Sequence, residues 1–407
     1  SGQDITLDQV ASTFGTLALT GANVAVTENA ATDLGASTVS GTFGITSGGA
    51  ITDSGTQAIT GDATFTNTAG TDAAITLDDA SNAFGGTVTF ATDSGSAVTI
   101  VDTTALDLKA LTAASLSATI GGAVTDSGTL AIAGATTISA SGQDITLDQA
   151  ASTFGTLSLT GVNVAVTENA ATDLGASTVS GTLGITSAGA VTDSGTLAVT
   201  GATTISASGQ DITLDQAAST FGSLLLTGAN VAVTDAGAVD LGASTVSGTL
   251  GITSAGAVTD SGTLAITGAT TISASGQDIT LDEAASTFGS LLLTGTNVAV
   301  TDAGAVDLGA STVAGTLGIT SAGAVTDSGT LAVTGATTIS ASGQDITLDQ
   351  AASTFGTLAL TGANVAVTDA GATDLGASTV SGTLGITSAG AVTDSGTLAI
   401  AGATTIS

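Results

Sequence analysis

Only one kind of side chain in this sequence could do chemistry in quantity, and that is the carboxylate. The chain has 34 acids against a single basic residue, Lys109, and no His, Cys or Tyr. Eighteen acids recur at the close of short Thr- and Val-rich segments: Asp8, Glu28, Asp53, Asp78, Asp102, Asp126, Asp148, Glu168, Asp193, Asp215, Asp235, Asp260, Asp282, Asp302, Asp327, Asp349, Asp369 and Asp394. Carboxylates in regular order can bind hard divalent cations, of which Ca²⁺ fits best. They can also close turns by accepting a backbone N–H two residues on. Paired carboxylates hydrolyse glycosides, but those two residues differ in environment and occur once, whereas here the acids repeat uniformly. With no activated nucleophile and no His or Cys, the expectation is a non-enzymatic chain that requires no cofactor, with Ca²⁺ the one candidate ligand.

The elements that carry these acids follow from composition. Apolar residues make up 42% of the 407 and charged residues 9%, which gives the chain surface to bury and argues against disorder. The polar remainder is chiefly Thr, Ser and Gly, suited to short strands and tight turns rather than helices. No Pro is present, as expected where nearly every strand N–H donates to a neighbour. No apolar run is long enough for a membrane-spanning helix, so no membrane insertion is expected. A formal charge of −33 with one Lys excludes nucleic acid and anionic membranes as partners, since both are bound through clustered cations.

Internal repetition dominates the sequence. SGQDITLD begins at Ser1, Ser141, Ser208, Ser275 and Ser342, and TDAAITLD begins at Thr71. Six units follow, approximately 1–70, 71–140, 141–207, 208–274, 275–341 and 342–407, the last four about 67 residues long. Each unit divides into three sub-repeats; in the third unit the steps from Asp148 to Glu168, Asp193 and Asp215 are 20, 25 and 22 residues. Apolar residues alternate, as in Ile145 and Leu147, between breaks of Gly, Ser, Asn and Asp, which is the pattern of strand and turn. Taken as one coil each, these sub-repeats predict an all-β chain: a parallel β-helix (β-solenoid) of about 18 coils in six triple-coil repeats, one continuous segment over 1–407.

On that reading the eighteen acids would stack in one line about 4.8 Å apart. Neighbouring charges at that spacing cost about 1 kcal/mol per pair in water, and turn hydrogen bonds or bridging Ca²⁺ would have to offset it. A second acid recurs at Asp33, Asp173, Asp240, Asp307 and Asp374 in DLGAST-like segments, expected to protrude as a loop. Phe14, Phe84, Phe154, Phe221, Phe288 and Phe355 recur once per unit and are expected inside the core. Lys109, in LDLKAL, is expected to be a solvated side chain near Asp107.

The ITL, GTLAITG and AVTDSG strands resemble the β-strand repeats of filamentous haemagglutinin-type exoproteins over the whole chain. That resemblance implies a β-helical shaft exported to the bacterial surface, secreted or extracellular, and acting in adhesion, biofilm or cell contact. The expected function is the structural shaft of a surface fibre or adhesin; the alternatives are a self-assembling filament or sheath subunit and a calcium-stabilised matrix protein. Expected partners are copies of itself or flanking repeats of a longer chain, and cell-surface or matrix components. Both ends of the sequence fall inside a repeat, so a piece of a longer polypeptide is expected.

Overall fold

The computed structural model describes residues 2–68 and 72–407; Ser1 and Thr71, which open the first two sequence repeats, lie outside the described residues. The described residues form 54 short strands and no helix, and their pairing is parallel throughout. The fold is a parallel β-solenoid. Each strand finds its partner one turn away, so the backbone N–H and C=O groups within the strands are satisfied by the turns on either side. The chain falls into two compact units, Ser1–Thr204 and Ile205–Ser407.

In the second unit the ladders give the geometry of the repeat. Ile212 pairs with Val231, Val231 with Leu250, Leu250 with Thr270, Thr270 with Leu291 and Leu291 with Leu308. In that last strand Val306 pairs with Val325, and Val325 with Ile346. Ile212 and Ile346 occupy the same place two repeats apart, and seven turns separate them. The intervening counterpart, Ile279, stands on another ladder, between Val258 and Val298. One repeat therefore spans three and a half turns, and successive repeats start on opposite sides.

The first unit keeps the same count despite its diverged sequence. From Ile5 the ladder climbs through Val24, Phe43, Ala63, Val88 and Leu108, then from Val124 to Ile145, again seven turns over two repeats. Six repeats make about 21 turns, which corrects the 18 read from the sequence. Turn length is also more variable: Leu34 lies 17 residues above Leu17, and Val88 lies 25 above Ala63. Motif similarity misled the count, because the ladders pair unlike segments: VAVTD at Val231–Asp235 sits on LGITS at Leu250–Ser254. Short strands with the same in-out alternation can pair in any order, and turn length decides which do.

Inward positions are filled by aliphatic side chains. Ile212, Leu214, Leu224, Ile279, Leu281 and Leu291 are all fully buried, each worth about 1.5–3 kcal/mol in transfer from water. Phe84, Phe154, Phe221, Phe288 and Phe355 lie in the core as expected, whereas Phe14 in the first turn is partly exposed. The first unit adds an aromatic cluster the repeat pattern does not announce, with Phe65 edge-on to Phe43 and Phe84 and stacked on Phe90 at 5.8 Å. One inward hydroxyl per later repeat, as at Thr270 and Thr337, is buried without a hydrogen-bond partner.

Two kinds of glycine separate structural need from spare room. A Cβ on Gly329 would lie 2.2 Å from the backbone nitrogen of Ala310 in the turn below. At Gly318, in the middle of Leu317–Ser321, the nearest atom would be 3.8 Å away. The expected result of Gly329→Ala is a loss of about 1–3 kcal/mol through overpacking. Gly318→Ala should be neutral or stabilising by about 0.5–1 kcal/mol. Thermal melts of the two variants check both signs.

Candidate functional site

The recurring acids are the only chemically distinctive groups, and the structure sorts them by what their oxygens accept. Glu28, Glu168, Asp235, Asp302 and Asp369 close the strands of VAVTE or VAVTD sequence and turn inward, each at most 2% exposed. Glu28 and Glu168 reach the Phe14 and Phe154 amides 14 residues earlier, at 2.6 and 2.7 Å. Where Asp replaces Glu the shorter arm divides its acceptance. Asp235 takes the Phe221 amide at 3.2 Å and the Gly237 amide at 2.6 Å, and Asp302 takes Phe288 and Gly304 at 3.3 and 2.7 Å. The sequence changes in step, from ENAA after Glu to DAGA after Asp.

A second set closes the VTD-type strands. Asp126, Asp260 and Asp327 each accept the amide of Asp148, Asp282 or Asp349, 22 residues on, at 2.8 Å. Asp53 does the same for Asp78 at 2.8 Å and also accepts Asn82 Nδ2 at 2.6 Å. The carboxylates of Asp148, Asp215, Asp282 and Asp349 are themselves exposed. One acid thus meets the next through carboxylate and amide, not through two carboxylates. Asp102 accepts the Thr104 amide and hydroxyl at 2.8 Å each and the Phe84 amide at 3.2 Å.

These contacts correct the single acidic line expected from the sequence. Strand register sets Asp235 opposite Ser254, Leu241 opposite Asp260, Asp302 opposite Ser321 and Leu308 opposite Asp327. The line assumed three turns per repeat; at three and a half, acids at equivalent motif positions fall on alternating sides. The carboxylates that close the VAVTE and VAVTD strands are buried, as are Asp126, Asp193, Asp260 and Asp327 at the close of VTD strands, whereas Asp53 is half-buried and Asp394 exposed. No group of three or more acidic side chains suited to a metal ion occurs among the described residues.

The DLGAST-like segments are also corrected, from protruding loops to two strands around a corner, Thr172–Leu174 and Ser177–Val179 in the third repeat. Their acids point outward and collect hydroxyls from the turns on both sides. Asp173 accepts Thr156 Oγ1 at 2.9 Å and Ser194 Oγ at 2.8 Å, and Asp374 accepts Thr357 and Ser395 at 3.0 and 2.7 Å. The Ser395 hydroxyl, assisted by Thr357 and Thr393, holds the Asp374 carboxyl below its ordinary value. Lys109 is exposed, and its charge is the weakest of the influences that lower Asp62, behind the Thr87 hydrogen bonds.

Sequence reading missed one more set. Asp211 accepts both the backbone N–H and Nδ2 of Asn230, at 3.1 and 2.9 Å, and Asn230 Oδ1 accepts the amide and hydroxyl of Thr249, each at 3.1 Å. The same three-turn chain recurs as Asp278, Asn297 and Thr316. A signal was present, since Asp, Asn and Thr recur 19 residues apart in every such repeat. The acids are therefore clamps between turns, and the chemistry they perform is to satisfy amides and hydroxyls at the corners, where the strand ladders lapse.

The polar groups of the solenoid serve its own coils, which defines the class: a repetitive parallel β-solenoid built on a three-and-a-half-turn unit. The chain belongs to the family of repeats of unknown function, DUF5649, whose model matches residues 21–91, 95–160, 161–227, 228–294, 295–361 and 362–407. No curated protein and no solved structure matches it.

Burial of the clamps has a sign that can be tested. Desolvation raises the carboxyls of Asp53, Asp102, Asp126, Glu168, Asp235, Asp260, Asp302 and Asp327 above their ordinary values, against the opposing effect of their hydrogen bonds. A carboxyl with a raised folded-state pKa binds its proton more tightly in the folded chain. Stability then grows as pH falls from neutrality through the folded values and levels off below the unfolded value of about 4. The melting temperature at pH 5 should exceed that at pH 7.5 at fixed ionic strength; a steady fall on acidification would contradict the assignment. Asp260→Ala should cost about 1–3 kcal/mol at pH 7 by stranding the Asp282 amide. Asp260→Asn, which keeps an acceptor without the charge, should cost less and flatten the pH dependence, as denaturant titrations at the two pH values would show.

Proposed function

We propose that this chain is a structural, non-catalytic shaft segment of a bacterial extracellular fibre or surface adhesin. The observation that carries the reading is the fate of the carboxylates: the acids buried at strand ends accept backbone amides of their own or neighbouring turns, so the repeat uses them for its own continuity. Turn upon turn of nearly identical sequence adds length at about 4.8 Å per turn without adding a new kind of site. The resemblance of the strand repeats to filamentous haemagglutinin-type exoproteins supports a surface location and a role in projection or contact. Its partners are then flanking repeats of a longer chain, further copies, and cell-surface or matrix components.

Immunogold electron microscopy of intact, unpermeabilised cells with antibody raised against the chain tests location and form together. Labelled threads at the cell surface are the expected result. Label that appears only after permeabilisation would reject the surface assignment, and label on compact particles would reject the shaft.

A further inference from the structure

The half-turn offset between repeats distributes exposed charge in bands. On the ladder that contains Ile212, exposed Asp211 and Asp215 flank the first strand, and the next four strands, Val231–Asp235, Leu250–Ser254, Ala269–Ser273 and Ser290–Gly295, present no exposed acid. Asp235 is at the end of the first of these but only 2% exposed. Their outward positions are Ala, Gly, Thr, Ser and the half-buried Leu292. Acids return on this ladder at Asp307, in Val306–Leu308, and at Asp345 and Asp349 around Ile346–Leu348.

The ladder that contains Ile279 carries the same bands out of phase. Asp240 lies outward in Val239–Leu241, and exposed Asp278 and Asp282 flank Ile279–Leu281. Val298–Asp302, Leu317–Ser321, Thr337–Ser340 and Thr357–Gly362 then show no exposed acid. Within residues 211–362 each turn passes through both ladders, and where one side of the turn is acidic the other is neutral. After three and a half turns, about 17 Å, the two sides exchange roles, and the pattern returns after seven turns, about 34 Å.

We infer that this banding is a surface for side-by-side packing of copies of the chain, parallel and in axial register, the Ile212 ladder of one against the Ile279 ladder of the next. The partner follows from charge: in a chain with 34 acids and one Lys, two like sides in register would set acidic bands against each other, at a cost that grows as solvent is excluded. Opposite sides in register set each of these acidic bands against a neutral one. The neutral bands carry small outward side chains and the strand glycines Gly251 and Gly318, where no other atom would lie closer than 3.7 Å to an added Cβ; a strand glycine is one of the places where another backbone can come close. A heterologous contact of this kind does not close on itself and propagates into a lateral array. The inference deepens the structural reading above and rests on it only in treating the solenoid sides as contact surfaces.

Thr253 lies exposed in a neutral band and Thr259 exposed in the acidic band on the other side of the same turn, so the two positions discriminate. Self-association of the full chain is followed by light scattering and sedimentation velocity at about 20 mM salt, where screening is weak, with circular dichroism to confirm the fold of each variant. Thr253→Asp, which would face the neighbour's acidic band, should weaken association at least tenfold. Thr253→Lys should strengthen it, and Thr259→Asp, which would face a neutral band, should leave it within twofold. Because the chain lacks Cys, a mixture of T253C and T259C proteins reads the geometry directly: mixed disulfide dimers should form in preference to T253C homodimers. Equal effects of the two Asp variants, or predominance of T253C homodimers, overturns the register. A wild-type chain that stays monodisperse at every concentration overturns the lateral contact, while surface threads in the micrographs would leave the shaft reading intact.

Discussion

Everything in this molecule depends on the hydrogen bond between one turn and the next. A strand of three residues, such as Ile212–Leu214, cannot be stable alone; its amides and carbonyls are satisfied only because Val231–Asp235 lies beside it in parallel register. Once a chain is committed to that arrangement, its inward side chains must fill a narrow bore and its corners must satisfy amides that the ladders skip. Aliphatic alternation answers the first demand. The buried acids, the outward Asp and hydroxyl clusters and the Asp, Asn and Thr chains answer the second.

The acids pay an electrostatic cost for this service. Burying Asp102 or Glu168 desolvates a charge, and no cationic side chain lies among their hydrogen-bond partners, which are amides and hydroxyls. Backbone amides are fixed in place by the coil and lose no side-chain freedom when they donate, so a carboxylate at a corner gains bonds at little entropic cost. The difference between Glu168 and Asp235 shows how closely the corner is fitted: one methylene fewer moves part of the acceptance from a distant Phe amide to the Gly amide two residues on.

The fold class was legible because composition and period-two alternation leave few alternatives, and the absence of Pro and the regular Gly breaks both point to stacked strands. The count of turns was not legible. Val231, Leu250 and Thr270 share a ladder, yet nothing in VAVTD, LGITS and ATTIS marks them as successive, whereas the look-alike segments ITLD and VAVTE invite alignment as whole coils. The acid positions could be enumerated from sequence but not their neighbours, since half a turn of error moves a carboxylate from above another acid to above Ser254 or Leu241. The Asn230 chain was visible as a spacing of 19 residues, which is the true length of that turn and was the missed clue to the pitch.

Tandem genes of nearly identical units lose and gain copies by unequal recombination, one unit at a time. Here a repeat ends half a turn from where it began, so an odd change in copy number rotates everything downstream to the other side, while an even change preserves its facing. Copy-number parity, and not copy number alone, thus becomes a heritable trait of the locus: lineages that differ by one unit would present the distal part of the protein in opposite orientations, and selection on that orientation would favour gains and losses in pairs.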